Sequence, residues 1–323
     1  MTKTLDKIPF GWYQVAYSHE LVAGDSRGIR YFGKELVLFR TQSGEAHVLD
    51  AYCPHLGAHL GHGIHEFAGR GGEVRDESIV CPFHGWRFGG DGMCVEVPYA
   101  KNMPPKVKDQ QCLKSWPVRE MNQVIYVWYH PHDIEPLYEV DPIPEASADN
   151  DEWGELDIHQ WVINTHPQEM AENGVDVAHF RYVHQTASFP DAEISFDGIN
   201  RTSISRAKMQ TPRGEVDGAI TSWGRGVGNG AVRFTGICET VLLGNTTPIE
   251  LNKCQVNFAF IQKKVNGETP KGGVSAAIVA DICKQLNEDK PIWENKIFRD
   301  QPVLCDNDGP ISKFRKWYAQ FYV

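Results

Sequence analysis

The segments Cys53-Pro-His-Leu-Gly-Ala-His59 and Cys81-Pro-Phe-His-Gly-Trp86 decide how the first third of this chain folds. Each places one cysteine close to one histidine, Cys53 with His55 and Cys81 with His84. Two thiolates on one iron and two imidazoles on the other make a mixed-ligand [2Fe–2S] cluster, whose potential lies above that of an all-cysteine cluster. Proline and glycine in both segments let two loop tips close over such a cluster, with backbone N–H groups turned toward sulfur.

A Cys2His2 zinc site would use the same side chains, but there like ligands pair within each half. Here both halves are mixed, so the spacing reads as a Rieske [2Fe–2S] site. His59, His62 and His65 have no cysteine at matching spacing and read as loop or surface histidines.

Around these loops the chain alternates short apolar runs with turns: Leu36–Phe39, His47–Leu49, Ser78–Val80 and Val124–Trp128 read as strands. The ligands follow two of those strands directly, so the expectation is a small all-β domain offering two loops to one site. Gly69-Arg-Gly-Gly72 reads as a flexible connection between the two halves. An acidic, proline-bearing stretch from His130 to Asp157 marks a domain boundary, set at residues 1–135 and 136–323. Beyond it, Glu169–Val183 reads as helix, Ala231–Phe234 and Gln255–Ile261 as strands, and Val274–Ile297 as a long helix, which makes the second domain α+β.

With 323 residues, 41% of them hydrophobic, the chain suffices for two separate cores. A formal net charge of -10 argues against nucleic acid and favours a partner with a basic docking face. No apolar run is long enough to span a bilayer, and Met1-Thr-Lys-Thr-Leu-Asp-Lys7 lacks the apolar core of a secretory signal. A cytoplasmic protein is expected. The six cysteines outside the cluster, Cys94, Cys112, Cys238, Cys254, Cys283 and Cys305, lack disulfide-framework spacing and read as reduced thiols. Gly224-Arg-Gly-Val-Gly-Asn-Gly230 has neither the Gly-Lys-Ser/Thr nor the following helix of a phosphate loop and reads as a mobile loop or a hairpin. With no dinucleotide fingerprint elsewhere, the chain is not expected to take electrons directly from a nicotinamide.

A second metal centre is suggested by Glu172-Asn173-Gly-Val-Asp176-Val-Ala-His179-Phe-Arg-Tyr-Val-His184. Two histidines with one distant carboxylate form the facial triad of a non-haem Fe(II) centre, which leaves coordination positions open. Asp176 and His179, three apart, are expected on one helix face, and the helix must bend or end before His184. For the carboxylate, the stripe Ile278, Ile282, Leu286, Asp289, Trp293, Ile297 is one inward helix face interrupted by Asp289. A carboxylate facing a core is costly unless paired or metal-bound, so Asp289 is the leading ligand, with Asp300 and Asp306 as alternatives. Pro291 is expected to kink this helix just after Asp289. Trp223, Phe234, Phe258 and Phe260 read as core or as the lining of an apolar cavity.

Taken together, these residues resemble the oxygenase component of Rieske non-haem iron oxygenases. The resemblance spans nearly the whole chain and rests on the Cys-x-His and Cys-x2-His pair, on Asp176-x2-His179-x4-His184, and on Asp289 followed by Trp293. Within that family, Val175-Asp-Val-Ala-His-Phe-Arg-Tyr-Val-His184, Ile292-Trp-Glu-Asn-Lys296, Leu304-Cys-Asp-Asn-Asp-Gly-Pro310 and Arg315-Lys-Trp-Tyr-Ala-Gln-Phe-Tyr322 look like the 3-ketosteroid 9α-hydroxylase subgroup, which has sterol-desaturase relatives. The resemblance implies an N-terminal all-β Rieske domain before an α+β catalytic domain, an antiparallel sheet with helices of the helix-grip or START-like kind. It also implies an α3 homotrimer in which Asp176 bridges a ligating histidine and a cluster histidine of the neighbouring subunit. A flavin-containing reductase, directly or through a ferredoxin, would reduce the cluster. The mononuclear Fe(II) on His179, His184 and Asp289 would then use O2 to hydroxylate a C–H bond of a bulky apolar substrate, a 3-ketosteroid foremost. The alternatives are another polycyclic or aromatic substrate, a sterol desaturase, a Rieske electron carrier, and a zinc-binding interaction protein.

Overall fold

The computed structural model describes residues 5–63, 72–185, 192–211, 214–236 and 238–323. His65 and Gly69–Gly71 of the expected connection lie outside the described residues. The chain divides into two compact units, one of Gln14–Val140 and one of the residues up to Tyr13 together with Asp141–Val323. The division after Val140 falls a few residues beyond the expected boundary, and the first residues group with the second unit. The reason is local: Phe10 N–H donates to Phe321 O at 2.8 Å, and the two rings meet edge-on at 5.7 Å.

The Gln14–Val140 unit is all β. Its strands are β1 (Gly11–Tyr17, crossing the division), β2 (Ser26–Tyr31), β3 (Lys34–Arg40), β4 (Ala46–Asp50), β5 (Val74–Arg75), β6 (Ser78–Val80), β7 (Arg87–Gly89), β8 (Cys94–Glu96), β9 (Ser115–Trp116), β10 (Val118–Met121) and β11 (Val124–Tyr129). They form sheets in the orders β2-β3-β4-β9, β5-β6-β7-β8 and β1-β11-β10. The core between them contains Val37, Phe39, Leu49, Ile79 and Phe88, the inward residues of alternating strands. Cys53, Cys81 and Trp86 belong to the same core, so the cluster loops are rooted in it.

The second unit is built on one seven-stranded antiparallel sheet, in the order β12 (Asp157–Ile163), β18 (Lys253–Gln262), β17 (Thr240–Glu250), β16 (Ala231–Thr235), β15 (Gly214–Arg225), β14 (Asn200–Thr211), β13 (Ala192–Asp197). Six of these strands form a meander, and β12 joins its far edge. The helices are α1 (Pro167–Asn173), α2 (His179–Tyr182), α3 (Gly273–Asn295) and α4 (Ile311–Tyr318). Together the two units give the α+β class.

Packing on one face of this sheet fixes α3. Leu286 and Trp293 bury against Ile163 and Val256, and Val279 buries against Leu242 and Phe260. Phe258 and Phe234 pack on the same face, whereas the register pairs Trp223 with Ala231, in line with Leu243, and so places it on the opposite one. Of the predicted stripe, Leu286, Asp289 and Trp293 are buried, while Ile297 lies exposed beyond the helix end. Pro291 does not end the helix, which runs on to Asn295. Pro291 and Asn287 are both exposed, so the carbonyl that loses its partner faces water. Leu286→Ala is expected to cost about 2–5 kcal/mol, read as a lowered urea midpoint with an unchanged slope. No helix among the described residues is long and apolar enough to cross a membrane.

Candidate metal centres

The two Cys/His loops have the same backbone construction. Cys53 N–H donates to Ala58 O and Gly57 N–H returns to Cys53 O, both at 2.9 Å. In the second loop Cys81 N–H donates to Trp86 O at 2.7 Å and Gly85 N–H returns to Cys81 O at 3.0 Å. Each turn closes through a glycine in the left-handed region, Gly57 at φ 76 and Gly85 at φ 72, where a side chain would be strained.

Cys53 and Cys81 are each 2% exposed. The neighbouring Cys53 thiol draws Cys81 down to about 6 against the opposing effect of burial, and Cys81 together with burial holds the Cys53 thiol above the ordinary range. Backbone N–H groups of His55 and Leu56 reach the Cys53 sulfur, and those of Phe83 and His84 reach the Cys81 sulfur. The His55 and His84 rings stand edge-on with centroids 4.7 Å apart. Trp86 lies flat on His55 at 4.6 Å, its own Nε1–H donating to Tyr99 Oη at 2.8 Å. Two facing sulfurs, N–H donors on each and two adjoining imidazoles suit a [2Fe–2S] cluster of mixed ligation. The His59 and His62 rings meet at a tilt, centroids 4.3 Å apart, on another part of the loop, outside this arrangement.

In the second unit the expected helix over Glu169–Val183 is broken. Helix α1 stops at Asn173, with Gly174 as its C-cap, and α2 begins only at His179. Asp176 therefore shares no helix face with His179. Its Oδ1 instead accepts the N–H groups of Ala178 at 3.1 Å and His179 at 3.3 Å, which starts the next helical turn. Helix α2 ends at Tyr182, before His184. Below the break, a β-carbon at Gly309 would fall 2.2 Å from Val175 O, so only glycine lets the chain pass there.

One ligand atom from each of His179, His184 and Asp289 lies within 4.8 Å of the others. Among the described residues this is the one cluster of His, Cys, Asp and Glu with that geometry, so Asp300 and Asp306 stand outside it. His179 Nδ1 donates to Asp176 O at 2.6 Å and His184 Nδ1 donates to Glu288 Oε2 at 2.9 Å. Both Nε2 atoms are thereby left unprotonated, the tautomer a metal ligand needs. Burial pushes the Asp289 carboxyl up, opposed by His184 and His179, and burial lowers His179 so that its ring stays neutral. Asn173 Nδ2 lies 3.0 Å from Asp289 Oδ2 and 3.1 Å from His179 Nε2. Two imidazoles and one carboxylate on a single side, in a partly buried site, fit a facial-triad metal.

Asn173 and Glu288 are the residues to which sequence reasoning gave no role. Asn173 lay inside the polar run, and Glu288 adjoins Asp289. Their partners are 116 and 104 residues away in sequence, beyond any local spacing rule.

Residues 11–117 match the Rieske [2Fe-2S] domain, and residues 127–322 match the 3-Ketosteroid 9alpha-hydroxylase C-terminal domain. The chain belongs to the family of Rieske oxygenases defined by that C-terminal domain. It is 32% identical to a 3-ketosteroid-9-alpha-monooxygenase oxygenase component from Rhodococcus rhodochrous, over 97% of this chain and 81% of that one. It is 30% identical to cholesterol 7-desaturase nvd 1 from Ciona intestinalis, over 98% of this chain and 69% of that one. The crystal structure of dicamba monooxygenase bound to dicamba shares the fold, with a TM-score of 0.70, 18% identity and 96% of each chain covered. A further dicamba monooxygenase structure is described with non-heme iron. This member of the family is thus the oxygenase component of a Rieske monooxygenase, an oxidoreductase with a Rieske [2Fe–2S] domain.

Proposed function

We propose that this oxygenase hydroxylates a C–H bond of a 3-ketosteroid, with Cys53, His55, Cys81 and His84 holding the cluster and His179, His184 and Asp289 holding Fe(II). The observation that carries the reading is the convergence of His179, His184 and Asp289 in a chain that also bears the paired Cys/His loops. When bound, the cluster supplies single electrons from a flavin-containing reductase, directly or through a ferredoxin, and the mononuclear iron supplies the O2-activating centre.

The chain's own residues hold that chemistry in place. Trp86 fixes the plane of His55, while Glu288 and the Asp176 carbonyl fix the rings of His184 and His179. Asn173 steers Asp289 through its amide. We further propose a homotrimer in which the Asp176 carboxylate bridges His179 and a cluster histidine of the neighbouring subunit. In support, the Asp176 side chain keeps 38% exposure, and the cluster loops present Leu56 and Phe83, 64% and 60% exposed, as an apolar rim. The six cysteines outside the cluster loops are in no disulfide, which favours a cytoplasmic setting.

The test is O2 consumption by the reductase-coupled enzyme across a panel of 3-ketosteroids and sterols, with product analysis. Stimulated uptake with a hydroxylated ketosteroid product is expected. No product from any ketosteroid would remove the substrate assignment. The likeness to cholesterol 7-desaturases supports a second reading, in which the product carries a new double bond.

A further inference from the structure

Arg201, on β14, carries a guanidinium for which the described residues offer no counter-charge. It pairs across the sheet with Phe196 on one side and Gly224 on the other, so all three share a face. On that face Phe196 packs against Phe314 and Trp317 of α4, and the Tyr318 phenol is the one titratable group acting on Arg201. Across from the sheet the guanidinium meets α1, where a β-carbon at Gly174 would fall 2.7 Å from Nη1. Gly174 adjoins Asn173, whose amide reaches His179 and Asp289. A role as a C-terminal cap of α1 would have Arg201 donate to the last carbonyls of that helix, and no such bond is present. The side chain is partly buried, and burial pulls it below its ordinary range. The guanidinium keeps part of its surface open and meets no anion among the described residues, so it is placed to receive an incoming one through charge-assisted hydrogen bonds.

The register extends the same row through Gly224, Gly230 and Gly244 to Phe258. Gly244 N–H donates to Gly230 O at 2.9 Å, and Gly224 and Gly230 are bare neighbours. The nearest atoms to the β-carbon positions of Gly224, Gly230 and Gly244 are neighbouring backbone and one edge of Phe258. Three adjacent strands without side chains make a flat floor of about 10 Å between the outer two. Two of its glycines belong to the Gly224–Gly230 run, which a hairpin turn alone does not require.

We propose that Arg201 binds a carboxylate on the substrate, so that this oxygenase takes a flat polycyclic acid whose apolar body lies along Gly224, Gly230 and Gly244. This rests on the oxygenase reading and adds an anionic group to its substrate class. The test is calorimetric binding of 3-oxoandrost-4-ene-17β-carboxylate and of pyrenebutyrate to the unreduced holoenzyme, each beside its methyl ester. Wild type is expected to bind at least one acid about tenfold or more tightly than its ester, Arg201→Gln to lose that preference, and Arg201→Lys to keep part of it. Equal affinity for acids and esters, no binding of either acid, or a preference that survives in Arg201→Gln would each overturn the proposal. Because binding is read without turnover, loss of the oxygenase reading appears separately, as absent O2 uptake with the acid preference intact. Turnover of neutral ketosteroids by an enzyme indifferent to the acids would leave the oxygenase reading standing and remove this one.

Discussion

Asp289→Ala is expected to lower the iron content from about three to about two per chain and abolish substrate-dependent O2 uptake, while the visible spectrum of the cluster stays unchanged. Asp289 is 6% exposed and hydrogen-bonded by Asn173, with His184 Nε2 at 3.4 Å. Removing the carboxylate leaves two imidazoles facing an empty corner, too few ligands to hold iron firmly. The cluster loops belong to the other compact unit and do not share these contacts. Iron analysis beside the absorption spectrum checks both halves. Retention of three irons would mean that Asp289 is not a ligand.

Asp176→Asn is expected to keep both metals yet reduce turnover about 100-fold, at the upper end for a residue that orients ligands. The asparagine retains an Oδ1 acceptor for the N–H groups of Ala178 and His179, and His179 Nδ1 still donates to the backbone carbonyl at the same position. The lost feature is the carboxylate charge, whose proposed partner is a cluster histidine of the neighbouring chain. Single-turnover kinetics with a pre-reduced cluster check it: slowed cluster reoxidation is the expected result, and an unchanged rate would remove the bridge. Asp176→Ala, by contrast, also loses the N–H acceptor and is expected to loosen the loop.

The cluster loops were legible in the sequence because their chemistry is local. Cys53 with His55, and Cys81 with His84, each sit inside one turn, and the glycine that closes it lies four residues past the cysteine. Asp289 was legible for a different reason, as a charge interrupting an apolar helix stripe. What escaped were features fixed by tertiary contacts or by competition at one residue. Gly174 ends α1 where helical periodicity continued on paper, and Asp176 then serves the backbone of α2 instead of a helix face. Glu288 and Asn173 acquire their roles only when α3 meets the broken helix.

The most direct test of the two-centre account is the ratio of iron to acid-labile sulfide in the purified wild-type enzyme. About three irons to two sulfides per chain is expected, two irons for the cluster and one for His179, His184 and Asp289. A ratio of two to two in fully loaded protein would contradict it, leaving an electron carrier in place of an oxygenase.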